Sequence, residues 1–130
     1  MSPAQRTIPA PPVNLETKPF WDAAADGKLL VKRCEACGER HYYPRAICPF
    51  CGSDRTAWLE ASGRGTIYSY SVFRRVPVPY AIAYVTLEEG PTVMTNIVDG
   101  DLDAIRIGQR VRVRFMPTDG GPPVPMFAPA

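Results

Sequence analysis

Cys34-Glu-Ala-Cys37-Gly38 and Cys48-Pro-Phe-Cys51-Gly52 decide how this sequence folds. These two segments hold all four cysteines of the chain, as two C-x2-C pairs with ten residues between them. Each pair is followed by glycine, which lets the backbone turn tightly around a metal. Two such turns facing each other supply four thiolates in a tetrahedron, the donor set that suits Zn²⁺. Two disulfides are the alternative pairing. The N-terminus has no basic region followed by an apolar run, so no secretory signal is expected. A cytoplasmic chain keeps its thiols reduced. With four protein sulfurs no coordination position stays open for a water, so the metal is expected to be structural. Iron on the same ligands would instead make the chain an electron carrier. A ribbon of about 25 residues cannot bury enough apolar surface to fold alone. Metal binding contributes about 10–16 kcal/mol in isolated finger peptides. Four thiolates and one Zn²⁺ also add −2 to the formal charge of +2, which brings the total near zero.

Working upstream, Leu29-Leu30-Val31 reads as a short strand running into Cys34. Before it, Thr17-Lys18-Pro19-Phe20-Trp21 reads as a helix start: Thr17 can cap, and proline suits the first turn. Ala23, Ala24 and Ala25 continue the helix and Gly27 stops it. So short a helix is marginal alone in water, so it is expected to dock. Phe20 and Trp21 dock it either on the protein's own core or, as exposed aromatic anchors, on a partner. Upstream again the composition changes. The chain has 15 prolines in 130 residues, five in residues 1–19, five in 20–116 and five in 117–130. An ordinary folded middle thus carries a proline-rich arm at each end, with residues 1–16 extended.

Downstream of the cysteines, Gly63-Arg64-Gly65 marks a turn. Four strand-like runs follow: Thr66–Phe73, Ala81–Leu87, Thr92–Val98 and Arg110–Phe115. Leu102–Ile105 fits a single helical turn. Several short strands in this length suggest a small barrel, which removes exposed edges. No run is apolar enough for a transmembrane helix, so no membrane insertion is expected.

Few candidate sites other than the metal site emerge. His41, the only histidine, lies between the cysteine pairs and reads as a packing or surface residue. No Ser-His-Asp set, Gly-x-Ser-x-Gly elbow or phosphate-binding Walker loop is recognisable. In Arg110-Val-Arg112-Val-Arg114-Phe, alternation puts three arginines on one face and Val111, Val113 and Phe115 on the other. Either solvent and nearby carboxylates offset these charges, or a phosphate-bearing ligand or acidic partner does. Arg74 and Arg75, in the loop after the first barrel strand, can extend the same patch.

The ordered series Lys18-Pro-Phe-Trp-Asp, Gly27-Lys-Leu-Leu, Arg33-Cys-Glu-Ala-Cys-Gly, Tyr43-Pro-Arg-Ala-Ile-Cys-Pro-Phe-Cys-Gly-Ser, Ser62-Gly-Arg-Gly-Thr-Ile-Tyr-Ser-Tyr, Pro79-Tyr-Ala-Ile-Ala-Tyr-Val-Thr-Leu-Glu-Glu-Gly and Gly108-Gln-Arg-Val resembles a known family. It is the family catalogued as domain of unknown function thirty-five. The resemblance implies a mainly β chain: an N-terminal short helix, a rubredoxin-like zinc ribbon, then a small OB-fold β-barrel. The segments expected are an extended proline-rich arm (1–16), helix and ribbon (17–59), OB-fold barrel (60–116) and a proline-rich tail (117–130). Cys34, Cys37, Cys48 and Cys51 match the family's metal ligands. The resemblance also implies an acyl-CoA-associated protein that partners thiolase-like subunits, such as thiolases, synthases and retro-aldolases. The catalytic residues then belong to the partner. The small subunit supports assembly and helps bind CoA or the acyl chain. The family offers no CoA motif to match, so Arg74, Arg75, Arg110, Arg112 and Arg114 are assigned to CoA phosphates on physical grounds alone. Phe20 and Trp21, with residues 1–16, are the expected partner contacts.

Two other functions fit the sequence. A single-stranded nucleic-acid module would use Tyr68, Tyr70 and Phe73 as a stacking platform. A charge near zero with zinc bound weighs against it, and nucleic acid is not the expected partner. An independent acyl-CoA carrier or hydrolase is the other.

Overall fold

The computed structural model describes residues 6–130. Helix α1 (Lys18–Ala25) leads into a three-stranded antiparallel sheet of β1 (Leu30–Cys34), β2 (Arg40–His41) and β3 (Thr56–Glu60), in the order β2-β1-β3. The rest is a closed barrel of β4 (Arg64–Phe73), β5 (Tyr80–Leu87), β6 (Thr92–Ile97), β7 (Arg110–Met116) and β8 (Val124–Pro129). A 3-10 turn, Leu102–Ala104, precedes β7.

Around the barrel the strands run β4-β5-β6-β8-β7, and β4 closes on β7. All neighbours are antiparallel except β6 and β8, whose only paired register is Ile97 with Phe127. A five-stranded Greek-key barrel is the OB architecture. The buried side of each strand follows the alternation of the sequence. On β5, Ala81, Ala83, Val85 and Leu87 point inward. On β7, Val111 is buried while the three arginines stay outside.

The proline-rich tail is not a tail. Residues 124–129 form β8, which pairs with β7 from Val124–Met116 to Pro129–Val111, and Phe127 lies in the core. Its prolines fit because of where their missing N–H groups fall. Ala130 donates its N–H to Arg110, so by alternation the even residues of β8 face β7. Pro125 and Pro129 then turn their nitrogens toward the sparsely paired β6 side, where no ladder bond is lost.

The N-terminal arm is likewise folded back on its own barrel, as far as residues 6–16 describe it. Met1–Gln5 lie outside the described residues. The Ile8 carbonyl accepts the Asp119 N–H at 2.9 Å, and Pro9 bridges Asp119. The Arg6 guanidinium lies 4.1 Å from the Tyr80 ring centroid and donates to Asn96. Glu16 accepts the Ala46 N–H at 2.8 Å. The described part of the arm is therefore held by the protein's own barrel on one side, while Val13 and Leu15 stay exposed on the other. Thr17 stands at the helix N-cap, but its side chain makes no capping hydrogen bond; Asn14 instead accepts the Thr17 N–H through its side chain and the Lys18 N–H through its carbonyl.

Ribbon and barrel share one core. Phe20, Leu29 and Val31 belong to the same buried cluster as Ala61, Ile67, Val85 and Phe127.

Candidate metal centre and surface sites

The four cysteine sulfurs lie within 4.8 Å of one another. Cys34 Sγ is 3.6 Å from Cys51 Sγ, and Cys37 Sγ is 3.7 Å from Cys48 Sγ. Zn–S bonds of about 2.3 Å in a tetrahedron give S–S edges of about 3.8 Å, so the donor set fits a zinc ion. β1 delivers Cys34 and the turns deliver the rest. Gly38 and Gly52 sit at φ +79° and +78°, and each donates its N–H back to the first cysteine carbonyl of its pair. These are left-handed positions that a side chain would strain. The Cys37 N–H points at Cys34 Sγ and the Phe50 N–H at Cys48 Sγ, so backbone dipoles face the sulfurs. The Cys37 N–H draws the Cys34 thiol down to about 6, against the opposing effect of burial. Cys34 and Cys48 are buried, while Cys37 and Cys51 are exposed. A zinc ion there would tie β1 to both turns and supply crosslinking in place of a core.

His41 is buried on β2 opposite Lys32, and neither ring nitrogen has a hydrogen-bond partner. Lys32 in turn lies over the Trp58 ring at 4.4 Å. This is a packed layer behind the metal knuckles, as the sequence reading of His41 expects.

The arginines divide between two ends of the barrel. Arg110 approaches Glu88 at 3.7 Å, and Glu88 is already held by Arg64 at 3.0 Å. The Arg64 guanidinium holds the Glu88 carboxyl below the usual carboxylate range. At the other end Arg114 pairs with Asp99 and Arg74 with Asp103, so one acidic loop takes both. Arg112 and Arg75 make no ion pair among the described residues. Arg112 and Arg114 line one open cavity of about 520 Å³ together with Asp99. The five arginines therefore do not form one patch.

Phe20 corrects another expectation. It is 2% exposed and packs edge-on against Trp21 and Tyr42 at 4.8 and 5.7 Å. It anchors the helix to the protein's own core and offers nothing to a partner. Trp21 is half-buried against the same cluster. The proposed stacking platform also splits. Tyr70 is in register with inward-facing Ala83, whereas Phe73 is in register with Tyr80 and stacks on it at 5.2 Å.

Of the outer face of β4-β5-β6, sequence reasoning named Tyr68 and Phe73 but missed Tyr84 and Met94. Tyr68, Tyr84 and Met94 are exposed there, with Tyr84 directly opposite Met94. The even-numbered positions of β5 carry the signal, Tyr80, Ile82 and Tyr84, which alternation places outside.

The zinc-ribbon description "ChsH2, rubredoxin-like zinc ribbon domain" matches residues 21–57, and "ChsH2, C-terminal OB-fold domain" matches residues 58–116. The chain belongs to the ChsH2 (DUF35) family. The OB-fold match stops before β8, although β8 completes the barrel. The solved "Ltp2-ChsH2(DUF35) aldolase" superposes with a TM-score of 0.79 at 35% identity, over 92% of this chain and 98% of that one. A "Probable enoyl-CoA hydratase alpha subunit" of Thermomonospora curvata is 35% identical over 94% of this chain, which spans only 40% of that relative's length. A "DUF35 domain-containing scaffold protein" of Methanothermobacter thermautotrophicus is 41% identical over 67% of this chain and 71% of the relative. No helix among the described residues is long and apolar enough to cross a membrane.

Proposed function

We propose that this ChsH2-family chain is a non-catalytic accessory subunit of a cytoplasmic, thiolase-like acyl-CoA enzyme complex. It supports assembly and helps hold CoA or the acyl chain, while the reacting groups sit on the partner. The observation that carries this reading is the likeness to the Ltp2-ChsH2(DUF35) aldolase over 98% of that chain. The hydratase-subunit and scaffold names of the relatives support it. A four-sulfur site also leaves no coordination position for substrate. For CoA, the supporting feature is Arg112 in the Arg112–Arg114 cavity: it has no ion-pair partner among the described residues and a phosphate would neutralise it, while Arg114 is already held by Asp99.

The test is co-expression with a thiolase-like protein encoded beside this chain, followed by affinity capture and assay of the mixture. Co-elution with activity that depends on both chains is expected. Separate elution, with the thiolase-like protein's activity unchanged by mixing, overturns the reading. Arg112→Ala is expected to raise the CoA-ester KM of the complex several-fold while leaving assembly intact.

A further inference from the structure

The barrel has one weak seam. β6 and β8 share a single register pair, Ile97 with Phe127, whereas β5 pairs with β6 all the way from Ala81–Ile97 to Thr86–Thr92. Across the seam the Val98 N–H donates to the Phe127 carbonyl at 2.8 Å, and the Thr95 hydroxyl donates to the Pro125 carbonyl at 3.3 Å. Pro125 has no N–H of its own to add.

The N-terminal arm crosses the outside of this seam. On the β6 side, Arg6 donates to the Asn96 side chain and lies over Tyr80 at the start of β5. Two residues on, Ile8 reaches β8. It lines a cavity of about 280 Å³ with Pro125 and Met126, and another of about 290 Å³ with Ile97 and Met126. Beyond Ile8 the arm meets the β7–β8 loop, where the Ile8 carbonyl accepts the Asp119 N–H at 2.9 Å. Ala10 then passes Gly121 so closely that a Cβ added to the glycine would lie 2.5 Å from the Ala10 Cβ. Gly121 does not have a positive φ, so space for the arm, not backbone conformation, calls for glycine there.

The place matters as much as the contacts. In OB barrels an extended ligand lies on the second and third strands, between the loop joining strands one and two and the loop joining four and five. Here those strands are β5 and β6, and the loops are residues 74–79 and 117–123. The arm touches Tyr80, Asn96 and Asp119, and the cavity beside Arg6 reaches Val78 in the first loop. Pro9, Pro11 and Pro12 keep the segment extended. The groove is therefore filled by the chain's own extended segment. The polar hold on it is light: the Ile8–Asp119 backbone bond and the Arg6–Asn96 side-chain bond, with Thr7, Pro9 and Ala10 exposed. Segments held this lightly open locally, at less cost than the fold around them.

We propose that residues 6–10 are a strap that occupies the ligand groove of this barrel, closes its weak β6–β8 seam, and lifts as a unit while the barrel stays folded. The strap uses neither the metal ligands nor Arg112, so it stands or falls separately from the accessory-subunit reading.

The experiment is amide hydrogen exchange of the zinc-loaded full chain, followed residue by residue by NMR. The Asp119 amide reports the strap, Val98 the seam, and Val85, buried in β5, the whole barrel. In the natural chain Asp119 is expected to exchange at least tenfold faster than Val85. Gly121→Ala is expected to unlatch the strap, speeding Asp119 and Val98 at least tenfold with Val85 unchanged. Adding Ala10→Gly makes room for the new methyl and should restore both rates. Deleting residues 2–10 should speed Val98 as Gly121→Ala does, and should raise the fluorescence of 1-anilinonaphthalene-8-sulfonate as the groove opens. An Asp119 amide that exchanges only as slowly as Val85 overturns the proposal, since the arm then opens only with the barrel. So does a deletion that leaves Val98 and the dye unchanged, or one that strips protection from Val85. A Gly121→Ala effect that persists with Ala10→Gly belongs to the loop itself and equally refutes the strap.

Discussion

Phe20 and Trp21 are neighbours in sequence and separate in environment, because adjacent helical positions point about 100° apart. Phe20 and Ala24, four residues apart, share the buried stripe. That i,i+4 pair was the legible signal for which aromatic faces inward; the Phe-Trp dipeptide alone does not carry it. Phe20→Ala is therefore expected to lower the unfolding free energy by about 3 kcal/mol, typical of truncating a buried phenylalanine. Urea unfolding of the zinc-loaded chain measures it, and an unchanged midpoint would return Phe20 to the surface. The cysteines are the opposite case. Two C-x2-C pairs with trailing glycines leave few geometries for four thiolates, so the spacing fixed the site before any fold was known. His41 adds a pH prediction. Burial holds its imidazole below the ordinary value of 6.5. Protonation thus favours the unfolded chain, and the stability tied to neutral His41 is complete above pH 6.5 and lost as pH falls toward the lowered folded value. His41→Phe should flatten the decline in urea midpoint between pH 7.5 and 5.5 relative to the natural chain. An equally steep decline in the variant would put the sensitivity elsewhere.

At the scale of elements, four of the five barrel strands were legible from β-branched and aromatic runs between turn residues. The fifth was not, because Pro125 and Pro129 make residues 124–129 look unlike a strand. Propensity cannot show that the β6 side of that strand is almost unpaired and has no use for those N–H groups. Likewise the arm at residues 6–16 reads as free chain until Asp119 and Tyr80 are placed beside it. The consequence is sharp. Ending the chain after Pro117 removes β8 with Phe127 and leaves β7 without its longest partner. Such a chain is expected to lose cooperative thermal unfolding, and Phe127→Ala to cost about 3–5 kcal/mol in the full chain. If the truncated chain still melts cooperatively, β8 is an accessory strand and the barrel closes without it.

At the scale of the whole molecule the question is whether ribbon and barrel are two units. The family matches divide at residues 57 and 58, but the packing does not. Leu29 and Val31 on the ribbon side lie in one cluster with Ile67 and Val85 in the barrel, and the Ala61 N–H donates to the Leu29 carbonyl at 2.8 Å. Helix α1 reaches across to β8. Cys34 ends the same strand that carries Val31, so the metal holds one end of an element whose other end packs against the barrel. Metal binding is folding free energy for a ribbon of this size, and the shared core passes part of it on. Removing zinc with a chelator should therefore lower the melting temperature of the barrel as well as abolish the ribbon. Far-ultraviolet circular dichroism follows the barrel strands, and Trp58 fluorescence follows β3 beside Lys32. Both signals should shift down together in the chelated chain and return on adding zinc. If the barrel melts at an unchanged temperature while Trp58 alone responds, the two parts are independent units and the continuous core transmits nothing.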